Sequence, residues 1–330
     1  MTVLVVSPRV HAARGAELDA LAREARHPLE LLVLPDDPEG RLSAADCARI
    51  DLAFFSGDLF PGFSRQFFST VRKAPNLKWL QVANAGVDHP IYTEMQQRGA
   101  RLTTAVGANA EPIAHTAIAG MLMLGRNFPH WLSGQQRKSW EPVRGAAAPR
   151  DMHGQHVVIV GFGNIGKYIA RIALALGMQV TGVRRSPKQS DDPCDRICPP
   201  GELRGLLPQA DWLVLACPLT PQTRNMIDAD ALAALPKGAR IVNIARGEVV
   251  DEPALIAALQ SGHLGGAYLD VFVQEPLPAA SPLWDMPNVI VTPHNSATSS
   301  GNEDRVYAIF RDNLARWFRD EALVNEVPKP

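Results

Sequence analysis

The sequence predicts an α/β protein made of two doubly wound, parallel-sheet domains, and three observations carry that prediction. The chain has 330 residues, about twice the roughly 150 residues expected of one domain. Short apolar runs of strand length alternate with helix-period segments in both halves, which requires crossover connections and a parallel sheet covered on both faces. In the second half, a glycine-rich stretch, "GFGNIG", stands between one such run and a helical segment.

In the first hundred residues the strand candidates are "VLVV" at 3, "LELLVL" at 29, "LAFF" at 52, "LKWLQVA" at 77 and "ARLTT" at 100. A long apolar helix follows, opening at "NAEPIAH" with Asn109 as its cap and Pro112 in its first turn. Being apolar on more than one face, it is expected to lie deeply buried. The stretch "WLSGQQRKSWEPVRGAAAPRDMHGQ", rich in Gly, Pro and charge, reads as a linker. A second series of strands begins at "HVVIV" (156) and continues with "MQVTGV" (178), "DWLVLAC" (211), "ARIVNIA" (239), "GAYLDVF" (266) and "NVIVTPH" (288). Between most of them lie helical segments, such as "DEPALIAALQSG", whose Asp251, Pro253 and Gly262 supply helix start and stop chemistry. Near the end, Val306, Ile309, Phe310, Leu314 and Trp317 recur at helical spacing, as in a helix that packs back on the first domain.

Bulk composition narrows the function. A net charge of -1 with both signs interspersed gives no basic face for nucleic acid. The start, "MTVLVVSPRV", lacks the parts of a signal peptide, and no apolar run reaches membrane-spanning length. The expectation is a cytoplasmic protein whose partners are small molecules and copies of itself. Cys47, Cys194, Cys198 and Cys217 fit thiols in a reducing compartment. Cys194 and Cys198 lack a second ligand pair at finger spacing, and "HGQH" at 153 lacks a nearby Glu, so no metal site is expected.

Within "VVIVGFGNIGKYIARIALALGMQVTGVRR", Gly161 permits a tight turn, Gly163 lets backbone approach a pyrophosphate and Gly166 lets a helix pack on the sheet. Phe162, Asn164 and Ile165 complete that loop and helix start, whose free N–H groups favour phosphate. The motif follows a strand, opens a helix and precedes a second strand, the context that dinucleotide binding needs. After the second strand an NAD site would place a carboxylate on the adenosine ribose. Here stand Arg184, Arg185 and Ser186, with Lys188 beyond. A guanidinium pairs with a 2′-phosphate through charge-assisted bonds, so NADP(H) is the preferred cofactor, with NAD(H) as the alternative. Solvated loop arginines would give the same letters.

Three further stretches carry chemistry. "IVNIARGEVVDE" puts Arg246 at the end of a strand, "LDVFVQEPLP" puts Glu275 in the loop after another, and "VIVTPHNSA" puts His294 just past a third. Ligands bind at that edge of such sheets. Hydride transfer to a 2-oxo acid needs these three types: a cation for the carboxylate and carbonyl, a histidine to deliver a proton, and a carboxylate to orient the histidine and keep it protonated. Each alone also fits a structural role, as ion pair, turn residue or loop histidine.

Taken with "CPLTPQTRNMI", "SPLWDMPNVIVTPHNSA" and, in the first half, "NAGVD", the chain resembles the D-isomer-specific 2-hydroxyacid dehydrogenases over essentially its whole length. The resemblance implies a discontinuous flavodoxin-like substrate domain, residues 1–102 and 296–330, and an inserted Rossmann NAD(P)-binding domain, residues 103–295. It implies a cleft between them and a homodimer made through the inserted domain. It assigns catalysis to Arg246, Glu275 and His294, and the nicotinamide amide to Asp270. Cys217 and Pro218, with Ile244 and Ala245, would line the cofactor, and His294 would also meet it. Ala85, Gly86 and Val87 would bind the substrate carboxylate together with Arg246 and His294. Two departures stand out: "AHT" at 114, with His115 where relatives have an acid, and Asn295 after the histidine, where a small or apolar residue is usual.

The combined reading is an NADPH-preferring reductase of small 2-oxo acids, glyoxylate, hydroxypyruvate or similar, giving D-2-hydroxy acids. Alternatives are a dehydrogenase for larger 2-oxo acids and a dinucleotide-sensing corepressor-like protein, which can keep the same three residues. Phe54, Phe55, Leu59 and Trp284 are candidate pocket walls, and Trp131 or Trp140 candidates to reach a partner's site. A longer phosphoglycerate dehydrogenase would carry a further domain after 330, and a formate dehydrogenase a glutamine near 275.

Overall fold

The computed structural model describes residues 1–84, 86, 87 and 89–329. It separates into two compact units, residues 1–109 with 299–330 and residues 110–298. Among the described residues no helix is long and apolar enough to cross a membrane.

The first unit runs β1 (Thr2–Val6), α1 (Pro8–Glu24), β2 (Leu29–Val33), α2 (Ala44–Arg49), β3 (Leu52–Phe55), α3 (Ser64–Arg72), β4 (Trp79–Val82), α4 (Pro90–Gln97) and β5 (Arg101–Thr103). All pairings are parallel, in the order β2-β1-β3-β4-β5. Strand side chains alternate between two cores, as a period of two requires. Leu4, Val6, Leu52, Phe54 and Trp79 fill one, and Val5, Ala53, Phe55, Leu80 and Val82 the other. Phe54, Phe55 and Leu59 are therefore core residues, not the pocket walls expected of them; each contributes roughly 1.5–3 kcal/mol of burial.

The second unit comprises α5 (Ala110–Gly125), α6 (Phe128–Arg137), β6 (His156–Val160), α7 (Asn164–Ala175), β7 (Gln179–Val183), β8 (Arg196–Cys198), α8 (Leu203–Leu206), β9 (Trp212–Leu215), α9 (Ala229–Ala234), β10 (Arg240–Asn243), α10 (Glu252–Gln260), β11 (Gly266–Leu269) and β12 (Val289–Val291). Its parallel sheet has the order β12-β11-β10-β9-β6-β7-β8. The direction of winding reverses between β6 and β9, so the crevice beyond their carboxyl ends is where a nucleotide binds in such a sheet. Finally α11 (Asn302–Phe318) rejoins the first unit. Phe310 stacks on Phe54 with ring centroids 4.0 Å apart, while Ile309 and Trp317 pack against the same cluster.

Several local expectations hold and several do not. The Asp251 carboxylate caps α10 by accepting from Ala254 N–H, and Gly262 takes the left-handed conformation just beyond it. Asn109 does not cap α5: its Oδ1 is buried without a partner among the described residues. The stretch read as a linker contains most of α6, because Phe128, Trp131 and Leu132 form a helical stripe and Pro129 suits a first turn. β8 was not foreseen; three residues at a sheet edge leave almost no periodic signal. Residues 103–109 group with the first unit, where Ala105 and Ala108 are buried in its core.

Candidate active site

The glycine loop is shaped by three different constraints. Gly161 has φ +90°, and a Cβ there would lie 2.5 Å from backbone atoms of Ala216 and Cys217. The loop after β6 and the loop after β9 thus touch backbone to backbone. A Cβ on Gly166 would lie 2.8 Å from Gly161 O, so only glycine seats α7 this close. Gly163 meets nothing, and no side chain caps α7. Open space above an uncapped helix N-terminus fits the pyrophosphate of a dinucleotide. Asn164 faces solvent and Ile165 is half-buried, whereas the Phe162 side chain is part of the core, which leaves only its backbone to face a ligand of this loop. Cys217, Ile244 and Ala245 are buried beside the loop and Pro218 is exposed. Burial pushes the Cys217 thiol up to about 11, which makes it a neutral wall rather than a nucleophile.

The chemistry-bearing groups stand at the carboxyl ends of β10, β11 and β12. Glu275 Oε2 lies 2.7 Å from His294 Nδ1, and its Oε1 accepts from Phe272 N–H at 3.0 Å. A carboxylate only accepts, so Nδ1 carries the proton and Nε2 is the ring nitrogen left for other work. The two side chains are 46% and 36% exposed. Arg246 follows β10 in a turn held by Asn243, which donates to Arg246 O and accepts from Ala245 N–H. At the next residue, Gly247, a Cβ would overlap the backbone of Phe272 and Val273. The arginine turn and the segment leading to Glu275 are locked together by that contact.

His294 itself has φ +49°, a left-handed conformation that costs a non-glycine residue roughly 1–3 kcal/mol. Asp270 supports it. The Asp270 carbonyl accepts from His294 N–H at 2.8 Å, and its carboxylate accepts from Thr292 Oγ1, Asn295 N–H and Ser296 N–H. Because the Thr292 hydroxyl donates to Asp270, Tyr268 must donate to Thr292; burial pushes the Tyr268 phenol up to about 12, keeping it a donor. From α5, Thr116 donates to Ser296 O at 3.2 Å. Tyr268, Thr292 and Thr116 were missed from sequence. The only hint was the "AHT" departure, which puts a hydroxyl at 116; His115 beside it is exposed, 3.9 Å from Glu111.

At the adenosine end the two arginines part company. Arg184, just after β7, does not stand free for a phosphate. It pairs through two nitrogens with Asp192, donates to Ser186 O and Pro187 O, and lies over the Phe162 ring. Lys167 also meets Asp192, at 2.8 Å, and Lys188 donates to Cys194 O and Asp195 O. Arg185 and Ser186 are exposed. The Asp192 carboxyl is held well below the ordinary range: burial raises it, but bonds from Arg184, Lys167 and Gln189 N–H outweigh that.

In the first unit, Asn84 shapes the loop after β4 by donating to Gly86 O and accepting from Tyr92. Gly86 and Val87 are half-buried there; Ala85 lies outside the described residues. Trp284 is exposed and bonded to Pro278 O, and Trp131 and Trp140 are exposed.

A family model described as "D-isomer specific 2-hydroxyacid dehydrogenase, NAD binding domain" matches residues 118–296. The chain belongs to this family. Its members are NAD(P)-dependent oxidoreductases, and the second unit is accordingly a nicotinamide-cofactor domain. The (S)-sulfolactate dehydrogenase of Chromohalobacter salexigens is 34% identical over 242 residues, 73% of this chain and 78% of that one. The glyoxylate/hydroxypyruvate reductase B of Yersinia pestis is 35% identical over 245 residues, 73% and 74% of the two chains. Against the D-3-phosphoglycerate dehydrogenase of Methanocaldococcus jannaschii, 31% identical, the match covers 79% of this chain but about half, 49%, of the relative. Among solved structures, a D-isomer specific 2-hydroxyacid dehydrogenase from Xanthobacter autotrophicus Py2, in complex with NADPH and MES, superposes with a TM-score of 0.75 at 29% identity, covering 99% of this chain and 98% of that one.

Proposed function

We propose that this member of the family is an NADPH-preferring reductase of small 2-oxo acids, glyoxylate, hydroxypyruvate or similar, yielding D-2-hydroxy acids where the product is chiral. The observation that carries the reading is the His294–Glu275 pair, with Nδ1 held by the carboxylate at 2.7 Å and Nε2 left to act. With its pyrophosphate held at the glycine loop, a reduced nicotinamide cofactor would supply the hydride. His294 delivers the proton to the carbonyl oxygen from Nε2, and Glu275 keeps the ring oriented and offsets its charge. Arg246 receives the substrate carboxylate and polarises the carbonyl, an electrostatic role that water could not fill without reorganising. In the first unit, the backbone N–H groups of Gly86 and Val87 are proposed as donors to a substrate carboxylate. Asp270, which accepts three bonds from the His294 loop, keeps capacity for one more donor on its carboxylate, in keeping with a nicotinamide amide.

The homodimer through the second unit is supported by an exposed apolar face containing Phe128, Trp131, Leu132 and Trp140, of the kind that marks an interaction site. A cytoplasmic setting accords with four free, buried cysteines. The test is steady-state oxidation of NADPH and NADH with glyoxylate, hydroxypyruvate and 2-oxo-4-methylpentanoate. Turnover is expected, fastest with NADPH and one of the two smaller acids. No cofactor oxidation with any 2-oxo acid would overturn the reductase reading.

A further inference from the structure

Two adjacent arginines follow β7, yet their surroundings differ completely. Arg184 spends its guanidinium inside the protein: Nε donates to Ser186 O at 3.1 Å, Nη1 to Asp192 Oδ1 at 2.9 Å, and Nη2 to Pro187 O at 2.6 Å and to Asp192 Oδ2. Its side chain is 12% exposed and that of Asp192 is 0% exposed. Lys167, in the first turns of α7, reaches the same carboxylate at 2.8 Å. Asp192 is also fixed by Gln189 N–H on Oδ2 at 2.7 Å. One buried carboxylate thus ties the end of β7, the loop after it and the helix that opens on the glycine turn into a single body. Lys188 is spent on two carbonyls. Arg185, exposed, has no hydrogen bond or ion pair among the described residues.

We infer that Asp192 is a positioning residue for the adenosine end of the cofactor: it sequesters Arg184 and Lys167 as a brace and leaves Arg185 as the cation that selects a 2′-phosphate. The inference rests on the NADPH preference proposed above and divides the labour within it. Cations neutralised at contact distance by a buried carboxylate offer little to a phosphate, because breaking either bond strands a charge in the protein. An unpaired, solvated guanidinium at the strand end has no such cost.

The experiment is fluorescence titration of NADPH and NADH into the full chain and its variants. Arg185→Ala should weaken NADPH by about tenfold to a hundredfold, the worth of a charge-assisted bond, and shift NADH by no more than about twofold. Arg184→Ala should weaken both cofactors by the same factor, leaving their ratio intact. Asp192→Asn frees two cations beside the 2′-phosphate and should move the ratio further toward NADPH and steepen its dependence on salt. A residue that merely holds the fold would weaken both cofactors alike. Should that variant fail to fold, the double change Arg184→Ala with Asp192→Ala removes both members of the pair, and NADPH selectivity should survive it. Selectivity lost in Arg184→Ala but kept in Arg185→Ala would overturn the inference while leaving the NADPH preference standing. A wild type that binds NADH as tightly as NADPH would overturn both, with the dehydrogenase chemistry still measurable.

Discussion

Arg184–Asp192 and His294–Glu275 both stand at the carboxyl ends of strands in the second sheet, and the two pairs are built in opposite ways. Arg184 and Asp192 are 12% and 0% exposed, while His294 and Glu275 are 46% and 36% exposed. In the first pair the Arg184 nitrogens are directed at protein oxygens, including two backbone carbonyls. In the second, one ring nitrogen is bonded and the other, among the described residues, is not. Burial makes the first pair a brace, since a charge inside the protein cannot be given up cheaply. Exposure leaves the second pair open to solvent, as the proposed proton transfer requires, and makes its loss cheap for the fold. The contrast shows that residue type and position at a sheet edge do not by themselves separate structure from chemistry; the partner count does.

The difference is sharpest in stability. Asp192→Ala strands two cations and should cost about 3–5 kcal/mol, against under about 1 kcal/mol for Glu275→Ala, whose partner is solvated. Urea denaturation of both variants would show it, and equal losses would erase the distinction. A second consequence concerns acid. Because the folded-state value for Asp192 is depressed, its contribution is fully present above the ordinary carboxylate value of about 3.9. It is lost as pH falls through the folded-state value. The stability gap between wild type and Asp192→Ala should therefore be constant above about pH 5 and narrow as the pH falls below about 4; a gap that stays constant there would mean that packing, not charge, sets the cost. The smallest expected effect lies behind His294. Thr292→Val removes the hydroxyl between Tyr268 and Asp270 and should lower kcat by up to about tenfold, the worth of one hydrogen bond. The KM for cofactor should barely move.

Much of this was legible in the sequence because it is local or strictly ordered. The strand–GFGNIG–helix context needs only neighbours in sequence, and Arg246, Glu275 and His294 each follow a strand whose apolar run is plain. What was not legible depends on contacts between segments without periodicity. Arg184 was read as free because its partner, Asp192, comes eight residues later in an irregular loop, and a missing acid at one position hid an acid that the fold supplies from another. Phe54 and Phe55 lie near a sheet edge in sequence, but the alternation of β3 turns both into core. Thr116 reaches Ser296 across 180 residues, a contact no motif encodes. The helix α6 was hidden because its Gly, Pro and charged residues suit a linker as well as a surface helix.

The most direct test of the whole account is the single-turnover oxidation of bound NADPH by glyoxylate or hydroxypyruvate in wild type and in His294→Asn, with cofactor affinity measured alongside. An exposed pair that exists to move a proton predicts a fall of about a hundredfold to ten-thousandfold in rate with nearly unchanged cofactor binding. Turnover retained at the wild-type rate across neutral pH would contradict it, and would place the proton donor elsewhere.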